Sequence, residues 1–352
     1  MNSNARRTAV VILNWNGKAF LEKFLSNVVR FSEDDAEVIV ADNDSTDDSV
    51  EFVQKHFPSV RLIQLEENSG YAGGYNKALE KLNHQYFILL NSDVEVTQSW
   101  ISPLIKFMDE NPKVSACQPK ILSWHHRDEF EYAGAAGGYI DKYGYPFCRG
   151  RIFNTIEKDH GQYDDAVQTF WASGACMFVR SEVFRKLRGF DESFFAHMEE
   201  IDLCWRMKKL NYEIWFYPQS RVYHVGGGTL DKNNPRKTYL NFRNNLLMLY
   251  KNLDAKEFVK VKFFRNVADF LAAIRFLFNN SLKDCLAVLK AHIDFNKMKV
   301  SVSPSVKNPE NTGQQEITGI LKQSILFSFY VRKLKKFSDI NASKGLKNQA
   351  LR

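Results

Sequence analysis

Apolar and polar positions alternate along the first half of the chain as short strands separated by helices. Residues 8–13 (TAVVIL) form an apolar run, and after Asn14-Trp15-Asn16-Gly17 come Phe20, Leu21, Phe24, Leu25, Val28 and Val29 at helical spacing. This predicts a buried strand leading into an amphipathic helix. Residues 37–41 repeat the strand signal and end at Asp42-Asn43, after which Asp44 or Ser45 can cap a helix carrying Val50, Val53 and Phe57. Residues 60–65 read as a third strand, and the Gly-rich turn from Asn68 to Asn76 opens a short helix. Residues 86–90 read as a fourth strand, which stops at Asn91-Ser92-Asp93. Right-handed crossovers would fold these units into an α/β, doubly wound sheet, which binds ligands at the carboxyl ends of its strands.

The second half is less regular. Helices are expected over 100–110, 181–187 and 199–210, and strands over 114–118, 176–180 and 213–217. Residues 133–150, rich in Gly and Tyr, read as a loop or hairpin bordering the site. From Pro235 the pattern turns helical and basic, with Tyr239, Phe242, Leu246 and Leu249, then Phe258, Val261, Phe264, Val267, Leu271 and Ile274 on apolar faces. A polar linker follows, and residues 320–337 repeat the basic amphipathic pattern. The expected organisation is a catalytic domain over 1–232, a basic helical region over 233–300, a linker over 301–318 and a basic helical tail over 319–352.

Composition supports a large core: of 352 residues, 44% are hydrophobic and 28 are Phe. No run reaches the roughly 18 apolar residues of a membrane span, and residues 1–7 have no apolar stretch behind them to make a signal peptide. A cytoplasmic protein is expected. The five cysteines are widely spaced without a CxxC, which indicates neither disulfides nor a zinc site. Charge is uneven, with 23 Lys and Arg against 9 Asp and Glu from Asp231 onward, and 25 against 32 before it. An acidic body with a basic tail points to an anionic partner for the tail, and an anionic membrane surface fits better than nucleic acid because no nucleic-acid-binding motif accompanies the charge. The alternative is that these helices pack on the body or on a second chain as a homo-oligomer.

Candidate chemistry gathers at the strand ends. Asp93 is placed to hold Mg or Mn beside a diphosphate, or else to cap the next helix. Asp42 could accept the imide N–H of uracil or thymine. Gly70, Gly73 and Gly74 allow close approach of backbone to a ligand, while the GxGxxG and GxxxxGK[ST] spacings are absent. Glu199, Glu200 and Asp202 crowd a helix start, so one of them should have a raised pKa suited to a general base. His224, before Gly226-Gly227-Gly228, is a candidate metal ligand beside a hinge.

Taken in order, NWNG, DNDSTD, NSGYAGGYN, LLNSDVEV, ASGACMFVRSEVF, GFDESFFAHMEEIDLCWR and YHVGGGT resemble family 2 glycosyltransferases of the GT-A fold, especially their bacterial rhamnosyltransferase-like branch. The resemblance spans residues 8–253. It implies a GT-A (Rossmann-like nucleotide-diphospho-sugar transferase) sheet with a C-terminal helical extension. It also implies a nucleotide-sugar site of Asn14, Asn16, Asp42, Asn43, Ser45, Asn68, Gly70, Gly74, Asn76, Asn91 and Asp93. Asn91 replaces the first acid of the family's DxD-type motif, leaving a divalent metal (Mg or Mn) to Asp93 and His224. The family's base is an Asp in the sequence ED; here Glu199-Glu200 stands there, and the assignment between them stays open. Trp171, Gly174 and Asp202 are expected on the acceptor side. The QxxRW signature of processive synthases is missing. The implied activity is inverting transfer from a UDP- or dTDP-sugar to a glycan or lipid-linked acceptor at the inner face of the cytoplasmic membrane. An inactive nucleotide-sugar-binding scaffold is the alternative.

Overall fold

The computed structural model describes residues 6–226, 234–300 and 317–342. Strands β1 (Thr8–Asn14), β2 (Glu37–Asp42), β3 (Arg61–Gln64) and β4 (Tyr86–Asn91) are mutually parallel in the order β4-β1-β2-β3. The helices between them are α1 (Lys18–Ser32), α2 (Ser49–His56) and α3 (Gly70–Glu80). Along β1, Val10 and Ile12 pack with Leu21, Leu25 and Val28 of α1, whereas Ala9 and Val11 pack with Ala72, Tyr75 and Ala78 of α3. Both faces of the sheet are covered, which is why β1 reads as a continuous apolar run.

Beyond β4 follow β5 (Val94–Val96), α4 (Ser102–Glu110) and β6 (Val114–Ser123). Residues 133–150 do more than border the site. Here β7 (Gly138–Asp141), β8 (Pro146–Cys148), β9 (Arg151–Ile152) and β10 (Thr155–Ile156) build a second, small sheet. Then come β11 (Val167–Gln168), β12 (Cys176–Arg180), α5 (Ser181–Lys186), α6 (Glu199–Lys209) and β13 (Glu213–His224). β12 inserts antiparallel between β4 and β6, making the main sheet mixed. β13 runs past the expected end at 217 because a register shift between Phe216 and Arg221 lets it continue along β6 and pair with β5.

The C-terminal region departs most from expectation. Helix α7 (Pro235–Asn252) buries Leu246, Leu247, Met248 and Leu249 in the same core as β1 and α3, so it belongs to the body. Helices α8 (Ala255–Phe278) and α9 (Leu282–Met298) follow, with α9 packed on both α7 and α8. Residues 320–337 are not the expected amphipathic helix. Ile320 and Leu321 form β14 (Ile320–Leu321), which pairs with β7, and a π-helical turn spans Phe327–Val331 before α10 (Phe337–Ala342). Leu321, Ile325 and Phe337 are fully buried, so the apolar residues of this segment complete the second sheet instead of forming a free face. The expected linker falls almost wholly outside the described residues.

Candidate active site

The in-register pairing of β1 with β2 sets Asn14 beside Asp42. The Asn14 side-chain amide donates to Asp42 Oδ2 at 3.0 Å and to Ser45 Oγ at 3.2 Å. The Ser45 backbone N–H donates to Asp42 Oδ1 at 2.9 Å, and Asn16 N–H donates to Ser45 Oγ at 2.9 Å. Ser45 is therefore part of the floor of the site, not a helix cap; α2 begins only after Asp48. One strand over, the Asn43 amide donates to Asn68 Oδ1 and to the Gly70 carbonyl at 3.1 and 3.0 Å. A Cβ on Gly74 would lie 3.0 Å from that same amide, so only glycine lets α3 sit this close. Asn76 stands apart, because its carboxamide is occupied by the backbone N–H and C=O of Phe190, both at 2.9 Å.

At the end of β4, Asp93 is not a helix cap. Pairing of β5 with β13 brings His224 opposite Val94, and His224 Nε2 lies 3.1 Å from Asp93 Oδ1 and 3.4 Å from the Asn91 amide. On its other edge, His224 Nδ1 lies 3.3 Å from Glu131 Oε2. All three ionisable groups are buried. Burial alone would lower the His224 pKa, but the charges of Asp93 and Glu131 outweigh it and push it up to about 10. Burial likewise opposes ionisation of Asp93 and Glu131, yet His224 holds both below the usual carboxylate range.

No group of three or more His, Cys, Asp or Glu suited to a metal occurs among the described residues. Two protein donors suffice, however, for a metal whose other ligands are water and phosphate oxygens. Asp93 Oδ1 and His224 Nε2 face each other at 3.1 Å, with Glu131 Oε2 3.3 Å from Nδ1, so a metal held by Asp93 and His224 would take the place of the proton the imidazole carries between these acids. With that proton displaced, one carboxylate oxygen and one imidazole nitrogen are donors that fit Mg or Mn. Glu131 was not singled out in the sequence, where it sits in a Gly-rich stretch with no local motif.

The third part of the site precedes α6. A turn at Glu192–Phe194 is followed by Phe195, His197 and Met198, all with φ between 64° and 74°. Non-glycine residues in this region are strained and persist only where their surroundings hold them. The Phe195 carbonyl accepts from Ala72 N–H at 3.1 Å, and a Cβ on Gly70 would lie 2.4 Å from that carbonyl. From the opposite side the fully buried Asn244 of α7 directs its amide at the carbonyls of Phe194, Ala196 and His197, at 2.9, 2.8 and 2.8 Å. Arg243 adds bonds to the Ser193 and Phe194 carbonyls. The only trace of this clamp in the sequence is Asn244-Asn245 within an otherwise apolar helical stripe.

The clamped loop delivers Glu199 and Glu200, each with one carboxylate oxygen buried and without a hydrogen-bond partner. Burial, then the charges of Glu200 and Asp202, raise Glu199 well above the usual range. Glu200, only partly covered at its surface, is raised by burial to about 7 against opposing backbone hydrogen bonds. Both lie near Tyr71, whose hydroxyl is pushed up by burial, by Tyr75 and by these two charges. Tyr71 in turn donates to the Gly174 carbonyl at 2.8 Å, which brings Gly174 to the site. Asp202 does not reach the site: fully buried, it accepts from Arg206 and Asn252, both at 2.7 Å. Trp171 is buried over Gly138 with its indole N–H on the Tyr139 carbonyl, so it shapes the second sheet. Gly226 is described, but the rest of the expected triglycine hinge lies outside the described residues.

Residues 9–188 match the family model described as glycosyl transferase family 2. The chain belongs to this family. Among curated members, this family 2 glycosyltransferase is 27% identical over 233 residues to the N-acetylglucosaminyl-diphospho-decaprenol L-rhamnosyltransferase of Mycobacterium tuberculosis, covering 61% of this chain and 75% of that one. It is 22% identical to the rhamnosyltransferase WbbL of Escherichia coli K12, over 61% of this chain and 82% of that one. Solved GT-A structures share the fold. GalNAc-T7 with UDP, GalNAc and Mn2+ gives a TM-score of 0.55 at 16% identity, over 85% of this chain and 57% of that one. Residues 1–349 of S. aureus TarS give 0.53 at 16% identity, over 84% and 81%.

Proposed function

We propose that this family 2 glycosyltransferase is an inverting, metal-dependent hexosyltransferase. It would move a sugar, with rhamnose the leading candidate, from a UDP- or dTDP-sugar to a hydroxyl of a lipid-linked glycan in cell-surface polysaccharide synthesis. The observation carrying this reading is that the Asn14-Asp42-Ser45 floor and the Asp93-His224 pair stand at the carboxyl ends of neighbouring strands, with the loop that delivers Glu199 and Glu200 packed against the Gly70 turn. Asp42 would accept the base imide N–H, and the donor's diphosphate would lie toward Asp93. A metal held by Asp93 and His224 supplies positive charge to the leaving diphosphate.

Glu200 would be the base. Burial pushes its pKa up to about 7, so that it is partly ionised at neutral pH and still able to take a proton, while burial and the neighbouring charges favour the neutral form of Glu199 beside it. The acceptor oxygen loses its proton to Glu200 and forms a bond to the anomeric carbon as the bond from that carbon to the diphosphate oxygen breaks. A single displacement inverts the centre. The acceptor class rests on the activity of the mycobacterial relative, and the work would take place at the inner face of the cytoplasmic membrane.

The test is thermal unfolding with UDP, dTDP, GDP and CDP, each with and without Mn2+. Stabilisation by UDP or dTDP that needs Mn2+ is expected in wild type and lost in Asp93→Ala. In Glu131→Gln the Mn2+ dependence should shift to roughly tenfold higher concentration, through loss of imidazole orientation. No shift with any nucleotide would turn the reading toward a scaffold without activity, an alternative that the Asn91 substitution in the metal motif keeps open.

A further inference from the structure

Helix α8 is apolar on two faces. Phe258, Val261 and Ala273 turn inward, where the buried Arg265-Asp269 pair also sits. That pair is satisfied by the body: Asn245 accepts from Arg265 at 2.7 Å, and Tyr145 donates to Asp269 at 3.1 Å. His292 of α9 reaches Asp269 as well, at 3.1 Å. The inward face is thus fixed and closed.

The outward face is a separate stripe, largely distinct from the one the sequence pattern suggested. Val259, Phe263, Val267, Phe270 and Leu277 recur at intervals of three, four and seven residues, and Phe263 is 74% exposed. On α9, Leu282, Leu286, Leu289 and Ile293 form a second exposed stripe with the same spacing. Phe327, Tyr330 and Val331 extend the surface, because Arg275 of α8 donates to the Tyr330 hydroxyl at 2.9 Å. Of 18 large exposed hydrophobic residues among those described, only Trp15, Tyr132 and Ile156 lie outside this C-terminal region. Such concentration marks an interaction surface, since hydrophobic residues scattered singly are the norm.

We propose that the outward faces of α8 and α9 are where this protein docks on an anionic lipid bilayer. The charge pattern chooses this occupant over a second copy. Lys256 and Lys260 continue the α8 stripe at its start, and Lys283, Lys290 and Lys297 run along the α9 stripe, the last two sharing the single acid Asp294 at 2.5 and 4.0 Å, so lysines outnumber the acid that pairs with them. Two copies joined through these faces would bring the lysine rows together, whereas anionic headgroups neutralise them while acyl chains receive the apolar side chains. No helix among the described residues is long and apolar enough to cross a membrane, so the contact is interfacial. The proposal deepens the reading of a lipid-linked acceptor and takes its purpose from it, but the surface can be tested separately.

The experiment is vesicle flotation of the full chain. Vesicles of phosphatidylcholine with about one third phosphatidylglycerol should carry the wild type. Binding should fall roughly tenfold on phosphatidylcholine alone, and similarly in about 0.5 M salt. The variant Phe263→Asp/Phe270→Asp/Leu286→Asp changes only exposed positions and should lose flotation while keeping the melting temperature and any nucleotide-dependent shift. Undiminished flotation of this variant would overturn the proposal. So would a wild-type dimer, seen by light scattering, that the variant converts to monomer without vesicle binding by the wild type. Flotation that depends on the stripe in a protein no nucleotide stabilises would sink the transferase reading and leave the surface standing.

Discussion

Two adjacent carboxylates in one buried corner set the pH behaviour of this protein. Glu200 must give up its proton to act as a base, so kcat/KM should rise with pH and level off above about 7, and Glu200→Gln should remove most of the activity across the range. Stability should move the other way. A glutamate whose folded pKa is raised from 4.5 to about 7 favours the fold below 4.5, and that contribution is lost as pH rises through 7. Glu199, also raised well above the usual range by burial, adds to the same trend. Glu199→Gln should therefore melt about 2 °C higher than wild type at pH 8, as read by differential scanning calorimetry, and show little gain at pH 5. The crowding of acids at a helix start was legible in the sequence, since Glu199, Glu200 and Asp202 lie within four positions. Their division of labour was not. A helical wheel separates three acids by angle, but only the fold shows that Asp202 faces Arg206 and Asn252 and is spent on structure.

Helix α7 shows how an element beyond the recognisable motifs can complete a site. Its Asn244 holds three carbonyls of a loop whose backbone lies in a region other residues avoid, and Arg243 reinforces it at Phe194 alone of the three. Asn244→Leu should let the loop relax and move Glu200. The expected outcome is a kcat lowered by about a hundredfold with a smaller change in donor KM, since Asn244 bonds the loop that carries Glu200 and not the Asn14-Asp42-Ser45 floor. Loss of kcat and donor KM together would argue for general unfolding instead. The parallel half of the sheet was readable because burial on both faces of β1, β2 and β4 leaves uninterrupted apolar runs. The small sheet was not readable beyond a hairpin, because β8, β9 and β10 are two or three residues each, too short to show an alternating pattern even though they pair locally. The pairing of β14 with β7 joins positions about 180 residues apart, which no local pattern encodes.

The molecule is held by one dominant core that runs from Ala9 on β1 to Ile340 on α10. The boundary expected near residue 232 does not divide two independent units. A chain ending there would lose the partners of Phe194 and Met198, along with the Lys251-Asp191 and Asn252-Asp202 pairs. Such a truncation should express insolubly, or as a species without nucleotide-dependent thermal shift, whereas truncation after residue 342 removes nothing from the described core. The strained loop between α3 and α7 has a consequence for how relatives of this protein can diverge. Exchanging the segment after Leu253 would change the proposed docking faces of α8 and α9 and keep Asn244, whereas an exchange that begins before α7 would also remove the clamp on the loop that carries Glu199 and Glu200. The join between α7 and α8 is therefore the point at which the proposed docking surface and the proposed base can vary separately.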